Sequence, residues 1–572
     1  AAALACLPAA GVAAAEAGER PAPPERIFID RVEVNVVNVE VFVTDRQGRR
    51  VSDLGREDFE VRVDGRPVAI TNFYASAAAA APQPADDAGG IATIGLPVAS
   101  LPAAEAGTAA EVAAVAREQR LNLMVYVDHT FTRAANRKRL LDHLRGFLAT
   151  ELDEHTWVML VGYNGAVHVE TPLTRDSQAI AAGLDALGGY AGGPGPLSMD
   201  RVARVLQNSE EEAFPSLVSS FMQQEEAKLR LSVRALAESL ALFAGLPGRK
   251  AVLHVSDGLP MEVMLAAQMM LGDEVLVSGL RNGERRLYGD LVRTAQAHQI
   301  AFYPIDTRGP FGEDYSSAEL QPFATVESPD RSNAGFAAAD TLNRQEPLLE
   351  MAAATGGTAI LNTFNFARAL ETVAIDFGSF YSLGFAAPHA GDGRRHAIDV
   401  RVKRPGLRVR HREGYVDKPL VERVGDRTLS FLQLEMESNP LGARIGFGHP
   451  QRDGRRWIVP LLVRVPAEGV TLLPEGDSLR GRLHFFVAVR DDRGRVSDLT
   501  HIPHPLTIPA GGAEPDAADL GLGINLEVRP GTWTVAVGVW DEIGGAESYL
   551  RETIEIVEPE REPGGRRGRR SR

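Results

Sequence analysis

The sequence predicts an α/β protein in which helices cover both faces of a mostly parallel sheet, with β-rich regions before and after it. Two observations support this prediction. Between residues 119 and 418, apolar segments of strand length alternate with amphipathic helical segments, which is typical of a parallel sheet covered on both faces. Outside that region, apolar and polar residues alternate with a period of two, which indicates antiparallel strands.

The central region, residues 119–418, contains six apolar segments that we expect to be strands. They are residues 121–127, 157–163, 167–169, 251–255, 300–305 and 381–385. Helical periodicity separates them, at residues 133–152, 177–187, 231–243, 287–298, 348–354 and 366–377. Three longer segments, 188–228, 261–284 and 307–343, interrupt the pattern and are predicted to decorate the rim of the sheet. Alternating segments at 396–402 and 407–412 close the region.

The flanking regions complete the predicted domain organisation. Residues 27–75 form an N-terminal β unit, and an Ala- and Pro-rich linker at 76–118 follows it. Residues 419–557 are predicted to be an all-β, immunoglobulin-like sandwich, with strands at 457–465, 483–489, 523–528 and 532–540. Residues 558–572 form a basic, Pro- and Gly-containing tail that we expect to be disordered.

The first residues suggest export. Residues 1–15 are small, apolar and uncharged, and AEA follows at residues 15–17. This pattern predicts that residues 1–26 are the remnant of an export signal, which would place the protein in the periplasm or outside the cell. The alternative is an Ala-rich leader with no targeting role. Cys6 is the single cysteine, which excludes an intramolecular disulfide and a Cys₄ or Cys₂His₂ zinc site.

The charge balance restricts the classes of partner. Lys and Arg number 61 against 76 Asp and Glu, a net charge of −15. A nucleic-acid binder would normally present a basic face, so this composition argues against one. No uncharged apolar run of roughly 18 residues follows the N-terminal segment, so we expect no internal membrane span.

The segment DHTFT ends the first predicted strand of the central region and carries the clearest chemical signal. Alternate residues of an extended loop face the same side, so Asp128, Thr130 and Thr132 can converge. One carboxylate and two hydroxyls are oxygen ligands suited to a hard divalent cation. A second carboxylate, Asp257 in SDG, follows the strand at residues 251–255 and is expected at the same sheet edge.

These motifs resemble the von Willebrand factor A domain, a Rossmann-like fold with a metal-ion-dependent adhesion site written DxSxS. Longer segments resemble the bacterial, acidobacterial type of this family over residues 28–418. They include the block at residues 28–75, LVRTAQAHQIAFYPIDTRG, LLEMAAATGGTAI, FYSLGF and RPGLRVRHREGYVDK. Members of that family are mostly exported.

The resemblance implies a metal site but departs from the family pattern. When the family's motif is aligned with this sequence, Asp128, Thr130, Thr132 and Asp257 occupy the positions of its metal ligands. Thr stands at the two positions that are Ser in the family motif. The family's second-loop Thr is missing, and Ser198 is a candidate substitute, although it could equally cap a helix. The implied ion is Mg²⁺, or alternatively Ca²⁺ or Mn²⁺. In the opposing interpretation, nothing binds and Asp128 caps a helix.

The leading hypothesis is an exported, non-enzymatic protein-binding or adhesion module that uses this degenerate metal site. Its partner would be an unidentified protein, bound through an acidic group that completes the metal shell. The alternative is a metal-free structural or assembly scaffold of the cell envelope. A hydrolase that uses Asp128 and Asp257 is a third hypothesis. No HExxH, Walker A or G-x-S-x-G motif is present to support an enzyme.

Overall fold

A computed structural model describes the chain in twelve segments and divides it into two compact units. The units are Glu33–Pro419, and Ala1–Val32 with Leu420–Arg572. The described residues are 4–5, 36–76, 120–150, 155–191, 214–263, 283–310, 333–389, 391–433, 438–454, 456–492, 495–509 and 519–557.

Both units are built from strands and helices whose bounds follow in chain order. The strands are β1 Leu4–Ala5, β2 Val36–Thr44, β3 Phe59–Val63, β4 Arg66–Val68, β5 Ile70–Ala75, β6 Leu121–Asp128, β7 Thr156–Tyr163, β8 Val167–Thr174, β9 Arg249–Ser256, β10 Ile300–Asp306, β11 Tyr381–Ala386, β12 Arg395–Val402, β13 Arg408–His411, β14 Gly414–Val416, β15 Arg444–Phe447, β16 Gln451–Asp453, β17 Arg456–Pro466, β18 Leu473–Glu475, β19 Ser478–Asp491, β20 Thr500–Pro509, β21 Asp519–Val528, β22 Gly531–Asp541 and β23 Glu547–Ile556. The helices are α1 Ala134–Thr150, α2 Ser177–Gly189, α3 Phe214–Ala244, α4 Gly283–His298, α5 Asn333–Thr355, α6 Phe366–Gly378 and α7 Leu420–Gln433.

A five-stranded, mostly parallel sheet forms the centre of unit Glu33–Pro419. Its strand order is β10-β9-β6-β7-β8, and only β8 runs antiparallel to its neighbour. Every residue of β6 and β9 is buried, as expected for inner strands whose two faces are both covered. This mixed α/β architecture with a mostly parallel sheet agrees with the sequence prediction.

Amphipathic helices supply the cover of this sheet. In α1 the five apolar positions predicted to share one face, Leu140, Leu141, Leu144, Phe147 and Leu148, are all buried and join the core formed by the strands. Two helices are longer than predicted, because α3 and α5 begin well before the apolar repeat that revealed them. Helical periodicity detects only the part of a helix that faces a core.

The strands before and after the α/β domain pair with each other. One four-stranded sheet has the order β13-β2-β11-β5 and the other β14-β12-β3-β4, and their inward side chains share one core. The prediction that residues 381–385 belong to the parallel sheet is therefore wrong, since β11 pairs antiparallel with β2 and β5. The strands of the predicted N-terminal unit, 27–75, are completed by strands from within the predicted 119–418 domain.

A buried ion-pair cluster ties these paired sheets to the α/β domain. The carboxylate of Asp376, on α6, contacts the guanidinium groups of Arg50 and Arg410 and is 1% exposed. On strand β9, the Nη2 atom of Arg249 lies 3.0 Å from the Oε2 atom of Glu40 on β2. Because a buried charge is tolerated only with partners, these pairs fix how the two parts meet.

The unit that contains residues 420–557 is built on two antiparallel sheets and a helix. The sheets follow the orders β1-β21-β17-β15 and β18-β19-β22-β23, with β16 and β20 attached at β17 and β19. Their facing side chains form one core. The four predicted strands lie within β17, β19, β21 and β22. The immunoglobulin-like assignment stays a prediction.

Helix α7 corrects the prediction that residues 419–557 are entirely β. Val424 and Phe431 of this helix pack with Phe486, Trp540 and Tyr549. Those three lie on β19, β22 and β23, and Phe486 follows Phe485, which points into the core between the sheets. The helix therefore covers the opposite face of the same sheet.

Several predicted features lie outside the described residues. They are most of the leader 1–26, the linker 76–118 beyond residue 76, strand residues before 36, Ser198 and the tail 558–572. Of the leader, Leu4 and Ala5 pair with Leu526 and Asn525. Among the described helices, none combines the length and apolarity needed to cross a membrane.

Candidate functional site

The two aspartates singled out by sequence lie at the same edge of the central sheet. Asp128 is the last residue of β6, and Asp257 directly follows β9, which pairs parallel with β6. The amide N–H of Asp257 donates to the carbonyl of Phe131 at 2.8 Å, so the two loops are joined directly. Gly258 has a φ of +85°, which lets the chain turn away after Asp257.

Asp128 is fully buried, and both of its carboxylate oxygens accept hydrogen bonds. Oδ1 accepts from the backbone N–H groups of Thr130 at 2.9 Å and Phe131 at 3.1 Å. Oδ2 accepts from the hydroxyl of Ser232 on helix α3. The carboxylate therefore organises its own loop and connects that loop to a helix distant in sequence.

Asp257 is equally buried and bridges three segments. Its Oδ2 accepts the backbone N–H of Arg133 at 2.9 Å, just before α1. The side-chain amide of Asn136 lies 3.2 Å from both oxygens, and Oδ1 accepts the hydroxyl of Thr307. A carboxylate at the first turn of a helix stabilises it, since the free N–H groups there are donors.

The threonines of the motif divide between two environments. Thr132 is fully buried, and its hydroxyl donates to the carbonyl of Asp128 within the loop. Thr130 is partly exposed at the rim. Ser198, the candidate for the second-loop ligand, lies outside the described residues, so the structure brings four of the five predicted ligands to one edge.

Burial shifts the proton affinities at this edge. Desolvation raises the pKa of Asp128 to about 6, although its three hydrogen bonds oppose the shift. Burial also raises the pKa of Asp257. Desolvation lowers the pKa of His129 to about 4, which keeps the imidazole neutral at pH 7.

A buried guanidinium lies beside the carboxylates. Arg137 on α1 is 1% exposed, donates to the carbonyl of Tyr190 and interacts electrostatically with Asp257. Its Nε and Nη1 atoms have no hydrogen-bond partner among the described residues, and neither has the ring of His129. That ring lies against Tyr190, with 4.7 Å between centroids. A fixed positive charge therefore occupies the interior of this edge.

The described residues of this edge offer no ready set of ligands for a divalent ion. A metal such as Mg²⁺ needs several oxygen ligands with lone pairs directed at one point. Here each carboxylate oxygen of Asp128 and Asp257 accepts at least one protein hydrogen bond, and Thr132 donates to a carbonyl. An ion would have to displace these donors beside the positive charge of Arg137.

Sequence reasoning missed four residues that complete this edge: Ser232, Asn136, Arg137 and Thr307. Thr307 carried a usable signal, because it directly follows β10 at the carboxyl edge of a parallel sheet. Ser232 and Asn136 are polar residues on otherwise apolar helical faces. Asp306, the last residue of β10, instead caps the turn that follows it and accepts the N–H of Arg308 at 3.1 Å.

The fold and this geometry define a class of protein: an α/β domain with paired aspartates at the carboxyl ends of neighbouring strands. No protein-family model matches the chain, and no curated protein matches it. Similar solved structures include a von Willebrand factor type A protein from Catenulispora acidiphila, with 13% identity, 77% of this chain and 66% of that chain covered, and a TM-score of 0.21.

Two further structures are similar in part. The match to an aerotolerance-related membrane protein from Bacteroides fragilis has 12% identity and a TM-score of 0.24. It covers 45% of this chain and 98% of that chain. The match to the manganese-loaded TRAP protein of Plasmodium vivax has 13% identity and a TM-score of 0.22. It covers 52% of this chain and 94% of that chain. TM-scores this low support no conclusion about the function of this chain. Its function is therefore argued from its own residues.

Proposed function

We propose that this chain is an exported, non-enzymatic protein-binding module of the von Willebrand factor A class whose sheet edge works without a metal ion. One observation carries the proposal: the closed set of hydrogen bonds around Asp128 and Asp257 cross-links the loops after β6 and β9. Carboxylates held this way shape a rigid surface and offer little to an incoming cation.

The charges at the edge favour an acidic group on the partner. Arg133 is exposed directly before the N-terminus of α1, and its own backbone N–H is met by the carboxylate of Asp257. Arg137 adds a buried positive charge behind it. In a chain of net charge −15, the exposed guanidinium of Arg133 supplies the attraction for a carboxylate that a metal ion supplies in the family.

The same contacts support a binding role over an enzymatic one. A general acid or base must reach a substrate atom within hydrogen-bond distance. Asp128 and Asp257 are both 0% exposed and already accept hydrogen bonds from their neighbours. Neither is positioned to exchange a proton with a bound molecule.

The test uses the full chain as bait in envelope extract, with and without EDTA. We expect the same protein to be captured in both conditions, and capture to fall at least tenfold in Arg133→Glu. Lys138→Glu, at another exposed cation on α1, is the matched control and should bind normally. Calorimetric titration with Mg²⁺, Ca²⁺ or Mn²⁺ should give no heat at this edge.

Two outcomes would redirect the proposal. Loss of capture in EDTA, together with heat on adding Mg²⁺, would restore the metal-dependent adhesion hypothesis. Capture that withstands both EDTA and Arg133→Glu would favour the assembly-scaffold alternative. The hydrogen bonds that hold Asp128 and Asp257 within the edge are the observation that supports this second candidate.

A further inference from the structure

A second cluster of metal-ligand side chains lies within the paired sheets of unit Glu33–Pro419, formed by Asp64, His389 and His396. Asp64 follows β3 in the tight turn to β4, with a φ of +48°. His396 lies on β12, which pairs with β3, and His389 lies in the segment between β11 and β12. Strand pairing therefore brings together residues 332 positions apart in sequence.

The ligand atoms face each other at close range. The Oδ2 atom of Asp64 is 2.8 Å from Nδ1 of His396 and 3.5 Å from Nε2 of His389. The two imidazole rings are stacked, with 3.9 Å between centroids and 11° between planes. All three ligand atoms lie within 4.8 Å of one another, and among the described residues this is the only such group of three.

These separations suit a tetrahedral ion. With metal–ligand bonds of about 2.0–2.1 Å, ligand atoms of a tetrahedral zinc site lie about 3.4 Å apart. The two rings, which are stacked with 11° between their planes, must turn before both nitrogens direct a lone pair at one ion. Unlike the backbone N–H donors at Asp128, a neutral imidazole nitrogen can offer a lone pair in place of a proton.

Two contacts hold the ligands from outside. Nε2 of His396 lies 3.0 Å from Oδ1 of Asp392, and that oxygen also accepts the N–H of Arg394. Oδ1 of Asp64 accepts the N–H of Ala397 at 2.9 Å. A carboxylate on the outer nitrogen of a histidine is the usual support of a metal-binding imidazole, because it sets the tautomer and the ring orientation.

Exposure leaves an open side to the cluster. His396 is nearly buried at 7% side-chain exposure, whereas Asp64 is 45% and His389 35% exposed. An ion can enter from solvent and keep a water molecule as a fourth ligand. Two imidazoles and one carboxylate are a ligand set that zinc takes when water is the fourth ligand, and iron(II) takes the same set in six-coordinate sites.

We propose that Asp64, His389 and His396 form a Zn²⁺ site, with Asp392 orienting His396 from outside the ligand shell. The site is independent of the sheet edge at Asp128 and Asp257. It joins the hairpin β3–β4 to the segment that leads into β12, so bound zinc would fasten two parts of the paired sheets that are distant in sequence.

The test is calorimetric titration of Zn²⁺ into the full chain after EDTA has been removed by dialysis. We expect one zinc per chain and a visible absorption spectrum of four-coordinate type when Co²⁺ replaces it. His389→Ala should weaken zinc binding at least tenfold, and Asp392→Asn roughly 10- to 100-fold. His449→Ala, an exposed histidine of the other unit, is the matched control and should bind normally.

Several results would overturn the site. They are absence of zinc binding at millimolar metal, unchanged affinity in His389→Ala, or equal loss in His449→Ala. His389 is partly exposed, so its variant should fold, and circular dichroism with urea unfolding verifies this. Asp257→Asn should leave the zinc stoichiometry at one, which separates this site from the proposed function of the sheet edge.

Discussion

Two aspartate-centred clusters occupy the same compact unit and differ in what surrounds the carboxylates. Around the buried carboxylates of Asp128 and Asp257, the partners are backbone N–H groups, hydroxyls and an amide. Around Asp64, the partners on the open side are two imidazoles. Backbone donors cannot leave a carboxylate, whereas an imidazole can replace its proton with a metal ion. A sequence that matches a metal-ligand motif therefore does not by itself predict metal binding. The hydrogen-bond donors around the carboxylates determine whether their oxygens can bind an ion.

The largest effect is expected from removing the bridging carboxylate of the buried cluster. Asp257→Ala leaves the N–H of Arg133, the amide of Asn136 and the hydroxyl of Thr307 without their acceptor, beside the uncompensated charge of Arg137. We expect the free energy of unfolding to fall by about 3–5 kcal/mol, measured by urea denaturation.

A surface aspartate provides the control for that variant. Asp399 pairs with Arg401 at the surface, and Asp399→Ala should cost less than about 1 kcal/mol. Equal losses in the two variants would mean that the hydrogen bonds of Asp257 contribute no more than a surface ion pair.

The next effect is a pH dependence caused by Asp128. Its pKa is raised from 3.8 to about 6 by burial. Between pH 3.8 and about 6, Asp128 is therefore protonated in the folded state and ionised in the unfolded chain. Stability therefore falls as pH rises from about 4 to 6, by about 3 kcal/mol from this group. Asp128→Asn, which lacks the ionisable proton, should remove this part of the dependence.

Urea denaturation of both proteins at pH 4, 5, 6 and 7 measures the difference. The free energy of unfolding of Asp128→Asn, relative to that of the parent chain, should rise with pH and level off above pH 6. A constant difference across this range would show that Asp128 does not titrate there.

A smaller effect is expected on helix α3. Ser232→Ala removes the hydroxyl that donates to Oδ2 of Asp128 and should cost about 1–3 kcal/mol, because a buried carboxylate oxygen loses its donor. Ser239 is a matched control, since it is equally buried on the same helix and donates only to the carbonyl of Ala235. If the thermal unfolding temperature falls equally in Ser232→Ala and Ser239→Ala, the hydrogen bond to Asp128 stabilises the fold no more than the one to the carbonyl of Ala235.

The smallest effect is expected at the histidine cluster without metal. His389 is 35% exposed and pairs with Asp64 at 3.5 Å, so His389→Ala should change the metal-free stability by less than about 1 kcal/mol. Adding zinc should stabilise only the parent chain. A large loss without metal would identify a structural ion pair and remove the contrast between the clusters.

Sequence patterns predicted the central sheet well, for physical reasons. Strands β6 and β9 are continuous apolar runs between helical repeats, and the rule for carboxyl ends placed Asp128 and Asp257 at one edge. The assignment of β11 failed because a short apolar strand fits a parallel or an antiparallel sheet equally well. Helix α7 was missed because we extended the β pattern of the later strands back to residue 419.

The site residues that escaped prediction share one property, which is distance along the chain. Ser232 and Asp128 are 104 positions apart, and Asp64 and His396 are 332 apart. Neither pair lies in a recognisable motif, so only the assembled sheets bring them together. Arg137 is one of several cations on α1, and nothing in its neighbours along the sequence marks it as buried.

The pairing of β2 with β11 also has a consequence for biosynthesis. The hydroxyl of Tyr381 accepts the N–H of Leu54, which lies 327 positions earlier. At about 5–20 residues per second, a ribosome needs roughly 15–65 s to make the intervening chain. The α/β domain can fold in that interval, while the early strands wait with unpaired edges that are prone to aggregation. We therefore expect the nascent chain to depend on a chaperone until β11 emerges.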